Sequence, residues 1–369
     1  MASQRKRAAL ARKVKADFRD VVAVLMAGGA GIRFWPLSTP HHPKQFLTAL
    51  TLKPLYVQAA ERARLLASWD RILVMTHADF ASLVRRQTPE VPAANVVLEP
   101  VRRNTAAAVI LAATIVDHRW PGATMIVMPS DHLITGLAAF RRAFVAAVAR
   151  ARSGGLGTIG IRPTSPATGF GYLHLGARPA GLRAVPVKRF VEKPDRARAA
   201  RYVASGDFLW NSGIFVWRAD VLLEAAERHL PQIYRPLASL RKVIGTPAFA
   251  PSTRRAFRHI ESVSIDYGVM EKAEDVWAIP AAFSWSDVGS WTSVVELLPA
   301  DAAKNHVRGN VILGEAHRNV VVADGYLPVV VAGVSDCVVV QGPSGTLVCR
   351  KDLLDHIKLL LERASSARA

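Results

Sequence analysis

Between Val21 and Leu47 the sequence VVAVLMAGGAGIRFWPLSTPHHPKQFL passes from an apolar strand pattern into Gly28, Gly29 and Gly31, then Arg33, then Lys44 behind a proline. Glycines after a strand let main-chain N–H groups turn toward an anion with no Cβ in the way. A tight turn alone also asks for glycine, so the loop by itself decides nothing. The two cations add the chemistry. Arginine grips two oxygens at once and lysine acts as a point charge, which beside a donor-rich loop suits a triphosphate. The stretch is not a P-loop, because no Gly-Lys-Ser/Thr follows. It is a poor dinucleotide fingerprint too, because the third glycine is missing and Pro36 interrupts any helix starting there.

Two aspartates stand on turns further along. TMIVMPSDH puts Asp131 just past an apolar run, and WSDVGSW puts Asp287 between Trp285 and Trp291. Each alone reads first as a helix cap or turn residue. Together they form an oxygen set for a hard cation such as Mg²⁺, which takes one or two carboxylates plus substrate phosphate oxygens. His132 has no HxxxH-type companion, so zinc is not indicated. FVEKP supplies Glu192 and Lys193, readable as a surface ion pair or as a carboxylate for sugar hydroxyls beside an ammonium for a sugar phosphate. LWNSGIFVW offers Asn211, whose amide both donates and accepts, and TGFGYL opens a strand with glycine. In LEPVRRNTAAA, Asn104 reads as the N-cap of a helix. Glu99 is less easily dismissed: a carboxylate only accepts, and guanine's pairing edge offers two donors.

Elements that could position these residues alternate along the chain. Strand patterns cover Val21–Ala27, Arg71–Thr76, Asn95–Leu98, Thr124–Met128, Thr158–Ile161 and Ile214–Trp217. Helical patterns cover Leu55–Ala67, Thr105–His118, Phe140–Arg152 and Asp220–His229. Such alternation predicts an α/β fold with a mostly parallel sheet flanked by helices, and ligands gather beyond the carboxyl ends of such strands. After Leu298, short apolar runs separated by turn residues from Gly309 to Cys349 predict an all-β unit, closed by an amphipathic helix near Leu353–Arg363. The expected divisions are a basic extension over 1–20, a catalytic domain over 21–298 and a C-terminal domain over 299–369.

Net charge is +19 over 369 residues. The first twenty hold seven basic and two acidic residues, and the rest of the excess is scattered arginine without one dominant stripe, which argues against a nucleic-acid face. No apolar run approaches the length of a membrane span, and no signal-peptide pattern opens the chain. Two cysteines give neither a disulfide framework nor metal spacing, so a cytoplasmic location is expected.

Taken in order, LMAGGAGIRFWPLS with PKQFL, LEPVRRNTAAA, PSDH, TGFGYL, RFVEKP, LWNSGIFVW, SIDYGVMEK and WSDVGSW resemble the sugar-1-phosphate nucleotidyltransferases, most of all the mannose-1-phosphate guanylyltransferases. The resemblance runs from about Val21 to Val348. It implies a Rossmann-like catalytic domain with a small left-handed β-helix-like C-terminal domain, and synthesis of GDP-mannose from GTP and mannose 1-phosphate with Mg²⁺, in a protein commonly dimeric. It implies that the loop Ala27, Gly28, Gly29, Gly31 with Arg33 holds the GTP phosphates and that Lys44 sits by the reacting phosphate. Asp131 and Asp287 would bind the metal. Gly171, Glu192 and Asn211 would contact the sugar, Lys193 its phosphate, and Glu99, Asn104 and Thr105 would surround the base. Ile32, Thr39, Ala167 and Gly268 depart from the family pattern, at positions that bear on substrate preference more than on activity. The alternatives are another hexose or heptose phosphate, another nucleotide, or a non-catalytic GDP-sugar-binding regulator. The last would be expected to have lost Arg33, Lys44, Asp131 or Asp287.

Overall fold

The run VVAVLM forms strand β1 (Val21–Met26), whose first five residues are buried. It lies inside a nine-stranded sheet with β2 (Ile72–His77), β3 (Val96–Glu99), β4 (Thr124–Pro129), β5 (Leu156–Ile161), β6 (Tyr172–Leu175), β7 (Val185–Val191), β8 (Phe208–Arg218) and β9 (Val276–Pro280). The computed structural model describes residues 17–29, 34–176 and 181–357. The basic extension lies almost wholly outside them, as do Gly31, Ile32 and Arg33.

The strand order is β3-β2-β1-β4-β8-β5-β9-β7-β6, with β8 also paired to β6. Strands β3, β2, β1 and β4 run parallel, as alternation of strand and helix predicts. The remainder corrects the expectation of a mostly parallel sheet. Strand β8 is antiparallel to β4, β5 and β6, and β9 is parallel to β5 but antiparallel to β7. The sheet is mixed. Strand β8 is eleven residues long, where the sequence pattern predicts only Ile214–Trp217, because Asn211, Ser212 and Gly213 break its apolar run.

Helices cover this sheet. The helix Asn104–Arg119 is apolar on all sides and buried from Ala106 to Val116, as expected for a helix enclosed by protein. It shares a core with Val22, Val24, Leu73 and Met75 of β1 and β2. Ahead of it, the Arg103 guanidinium donates to the carbonyls of Phe257 and Arg258. Those oxygens end the helix Phe249–His259 and have no partner within it. Asn104 does not cap the helix as expected. It is the first helical residue, with φ 62°, and its Oδ1 accepts from the N–H of Thr105 at 2.8 Å.

By contact, the chain separates into two compact units: one of residues up to Gly28, Ala59–Pro129 and Ile134–Trp285, the other of Gly29–Gln58, Ser130–Leu133 and everything from Ser286. The change in element type near residues 299–305 therefore falls inside the second unit. There, Phe34, Leu37 and Leu47 from the segment after the glycines share a core with Val288, Trp291, Val320, Val322, Val338 and Val340. Phe34 meets Trp291 edge-on at 5.0 Å, and the Trp291 indole N–H donates to the carbonyl of Trp35 at 3.1 Å.

The same unit holds β10 (His306–Arg308), β11 (Val311–Gly314), β12 (Val320–Ala323), β13 (Val329–Ala332), β14 (Cys337–Gly342) and β15 (Gly345–Arg350). Strands β10, β12 and β14 pair in parallel and β15 closes on β14 antiparallel, while β11 and β13 form a separate parallel pair. Buried asparagines tie successive turns. Asn305 Oδ1 accepts from the Asn319 N–H at 3.0 Å, and Asn319 Oδ1 accepts from the Cys337 N–H at 2.9 Å. Cys337 stands opposite Arg350 and Cys349 opposite Val338, so the two thiols face opposite sides of the hairpin. Lys351–His356 is a 3₁₀ turn; most of the expected terminal helix lies outside the described residues.

Candidate active site

Lys44 opens a short 3₁₀ turn, Lys44–Phe46, with Pro43 extended just before it. Its side chain is 9% exposed, and the ammonium reaches Asp131 Oδ2 at 3.0 Å, the main-chain oxygen of Asp287 at 2.7 Å and that of Val288 at 3.1 Å. Three N–H groups meet three protein oxygens. Lys44, Asp131 and Asp287 are thus brought together, within one unit, by a single charge. Burial pushes the Asp131 carboxyl upward, but the charges of Lys44 and His132 and the bond from Lys44 outweigh it and hold the group below the usual carboxylate range. Val288 is fully buried with φ 46°, an uncommon conformation for a β-branched residue and of a kind that clusters at functional sites. A Cβ at Gly289 would lie 2.6 Å from Asp287 Oδ2, so glycine keeps that carboxylate uncovered.

A divalent cation fits this donor set. Asp131 and Asp287 are hard oxygen donors on turns anchored by one ammonium. Among the described residues no group of three or more His, Cys, Asp or Glu could hold a metal by itself. A cation there would complete its shell with substrate oxygens and water.

In the other unit, Gly28 and Glu99 meet. A Cβ on Gly28 would stand 3.0 Å from Glu99 Oε1. Glu99 is 6% exposed, at the end of β3 opposite His77. Burial raises its carboxyl to about 7, against a partial pull downward from the Arg102 guanidinium. The N–H of Ala27 is already given to Met75 O at 2.8 Å, so Ala27 keeps no main-chain donor for a ligand. Back in the unit of Lys44, Gly29 O accepts from the Gln45 side chain at 3.0 Å. The Thr105 hydroxyl accepts from the Ile265 N–H at 2.9 Å, which binds the helix start to the SIDYGVMEK stretch.

That stretch supplies residues to which sequence reasoning assigns no role. Gly171, Glu192, Lys193 and Asn211 come together, and Asp266 and Glu271 join them. Glu192 Oε1 pairs with Lys193 Nζ at 2.9 Å, and its main-chain N–H donates to Glu271 Oε1 at 2.7 Å. The Glu192 side chain is 7% exposed, yet among the described residues its Oε2 has no hydrogen-bond partner. A Cβ on Gly171 would lie 2.5 Å from that oxygen and 3.3 Å from Asn211 Cβ. Asn211 donates through Nδ2 to Asp266 Oδ1 at 2.9 Å. Burial first, then the Glu192 carboxylate, raises Asp266 to about 7. The acidic residues of SIDYGVMEK are the available signal, but nothing local says which way they turn.

Three of the departures acquire local settings; Ile32 lies outside the described residues. A Cβ on Gly268 would lie 2.5 Å from Leu230 Cδ1, so alanine does not fit without repacking. Thr39 closes a turn by accepting from the His42 N–H at 3.0 Å, and the Ala167 side chain packs against the apolar cluster of Tyr172, Phe208 and Trp210.

The profile of the Nucleotidyl transferase family matches residues 22–304. The chain belongs to that family. This nucleotidyl transferase is 40% identical over 306 residues to the xanthan biosynthesis protein XanB of Xanthomonas campestris pv. campestris, covering 79% of the chain and 62% of the relative. It is 37% identical to a mannose-1-phosphate guanylyltransferase of Sinorhizobium fredii, covering 79% and 57%. The chain thus spans about three-fifths of the length of these curated relatives. A crystal structure from Thermus thermophilus, described as a mannose-1-phosphate geranyltransferase, superposes with a TM-score of 0.83 at 32% identity, over 94% of this chain and 99% of that one. The nucleotidyl transferase is an α/β protein with a mixed sheet and helices, and enzymes of this kind generally use a divalent metal ion. No helix among its described residues is long and apolar enough to cross a membrane.

Proposed function

We propose that this chain transfers GMP from GTP to mannose 1-phosphate, giving GDP-mannose and pyrophosphate, with Mg²⁺ as the divalent ion. The observation that carries the reading is the single ammonium of Lys44 joining the turns of Asp131 and Asp287, in a chain whose family handles nucleotides. A phosphate oxygen of the sugar phosphate attacks the α-phosphorus in line, and pyrophosphate leaves opposite. The attacking group is already ionised, so no protein nucleophile is required. The obstacle is repulsion between two polyanions, which preorganised positive charge offsets. Asp131 and Asp287 would hold the ion, which when bound neutralises phosphate oxygens and aligns the groups. Asp131 meets Lys44 through Oδ2, and Oδ1 is the oxygen it would offer to the ion. Glu99 takes the two donors of guanine, Glu192 and Asn211 take sugar hydroxyls, and Lys193 takes the sugar phosphate.

In this reading residues 21–298 carry the chemistry. The parallel rungs β10, β12 and β14 with their asparagine ladder support a left-handed β-helix over 299–369. A cytoplasmic location, expected from the sparse cysteines, belongs to the same proposal. Dimerisation, which the resemblance implies, is carried with the proposal and is read by mass in solution.

Pyrophosphate release should be measured with GTP, ATP, UTP and dTTP crossed with mannose, glucose and heptose 1-phosphates. GTP with mannose 1-phosphate should give the highest kcat/KM, dependent on divalent ion; a higher value for another pair overturns the specificity, and no release from any pair overturns the reaction. Gly171→Ala should raise the KM for the sugar phosphate at least tenfold, because its Cβ would intrude on Glu192 Oε2, and leave the KM for GTP within about twofold.

A further inference from the structure

The amide of Asn211 is held on three sides. Its Oδ1 accepts from the Gly213 N–H at 3.2 Å and stands 2.8 Å from the Thr158 hydroxyl, whose one hydrogen it shares with the Ile214 carbonyl at 3.0 Å. Its Nδ2 gives one hydrogen to Asp266. Flipping the amide would set an NH₂ against the Gly213 N–H and a carbonyl oxygen against the Asp266 carboxylate, so the network itself assigns the orientation. Sequence alone offers Asn211 as both donor and acceptor; with its oxygen turned to the Gly213 N–H and the Thr158 hydroxyl, what remains is one N–H. Beside it, Glu192 Oε2 is a buried acceptor without a partner among the described residues, and the missing Cβ of Gly171 leaves room for an atom to reach both.

We infer that Asp266, assisted by Thr158, is a positioning residue that makes Asn211 a donor of fixed direction, so that the sugar subsite presents one donor and one acceptor and selects a sugar phosphate whose neighbouring hydroxyls match that polarity. The inference rests on the proposed assignment of Glu192 and Asn211 to the sugar. Asp266 opens a π-helical turn, Asp266–Met270, a rare distortion that recurs at functional sites. It aims the carboxylate at the amide, while Tyr267, next in sequence, is exposed. With Asp266 truncated, only the oxygen side of the amide would remain anchored, and the free N–H would lose its direction.

The test uses the full chain and separate KM values for mannose 1-phosphate and GTP. Asp266→Ala should raise the sugar-phosphate KM about 10- to 30-fold, the range expected for losing one well-placed hydrogen bond to a ligand, with GTP's KM within about twofold. Asp266→Asn, whose side-chain oxygen still accepts from Asn211, should restore most of the loss. In an Asn211→Ala background, Asp266→Ala should add nothing further, because a residue acting through Asn211 has nothing left to position. An unchanged sugar-phosphate KM in Asp266→Ala, or full multiplication of the two effects in the double variant, overturns the inference. Should Asp266→Ala not fold, Thr158→Val carries the test, with a smaller rise in the same KM expected and no rise overturning it. A silent Asn211→Ala would remove the sugar assignment itself, and is thereby distinct from a silent Asp266→Ala beside an impaired Asn211→Ala.

Discussion

Asp287→Ala is expected to lower kcat about a thousandfold while shifting unfolding free energy by less than about 1 kcal/mol. The separation follows from which atoms of Asp287 do which work. Lys44 is held by the main-chain oxygens of Asp287 and Val288, and alanine keeps both. The ion pair from Lys44 to Asp131 remains as well. What disappears is the carboxylate that Gly289 leaves uncovered, and with it, on the proposed reaction, one ligand of the metal. Lewis-acid stabilisation of developing charge is worth several kcal/mol, and each 1.36 kcal/mol is tenfold in rate. Lys44→Met makes the contrast. It strips the charge from Asp131 and the donors from two carbonyls, so it should destabilise as well as inactivate. Asp131 is about a third exposed, so solvent screens part of the cost, and about 2 kcal/mol is expected. Chemical denaturation beside pyrophosphate-release kinetics measures both quantities. Comparable losses of stability and turnover in Asp287→Ala would return the WSDVGSW turn to a purely structural role.

How far the sequence can be read depends on how local the physics is. Strands β1 to β4 and the helices between them follow from apolar periodicity, and Lys44, Asp131 and Asp287 stand out because each sits on a turn with charge and little else to do. Strand direction is not written in periodicity. Hence β8, interrupted by the Asn-Ser-Gly of its own functional segment, reads short in sequence, and its antiparallel pairing with β4 and β5 leaves no local mark. The Asn211 network is equally hidden: its partners Thr158 and Asp266 lie 53 and 55 residues away. Backbone strain is invisible for another reason. Asn104, Lys193 and Val288 adopt φ of 62°, 46° and 46°, and no propensity of Lys or Val foretells that. All three fall inside segments that carry the family resemblance, where local preference gives way to placement of a side chain. Ala27 shows how a neighbour changes what a loop residue can offer. A residue inside a glycine-rich loop reads as an anion donor until the strand next door is seen to hold its N–H.

Glu99→Gln is expected to move substrate choice, pH profile and stability together, in directions that no surface glutamate would give. On the proposed assignment, Glu99 as a carboxylate would accept from both donors of the guanine edge; as an amide it would offer one acceptor and turn an NH₂ toward the other donor. Bonds to a charged partner contribute roughly 1.5–3 kcal/mol, so the GTP-over-ATP preference in kcat/KM should fall about 10- to 100-fold. The carboxyl titrates at about 7 because burial opposes its charge. Only the ionised form serves guanine, so the KM for GTP in the parent protein should rise about tenfold from pH 8 to pH 6 and stay flat in Glu99→Gln. Stability runs the other way. A folded pKa above the unfolded 4.5 means the folded chain prefers the protonated group, and the cost grows as pH climbs from about 4.5 through 7, reaching roughly 3 kcal/mol at pH 8. Glu99→Gln should therefore be more stable than the parent at pH 8 by up to that amount, and little different at pH 4.5. Denaturation at the two pH values and GTP kinetics across pH 6–8 read the two effects independently. Altered stability with unchanged nucleotide preference would leave Glu99 a buried acid with no part in recognising the base.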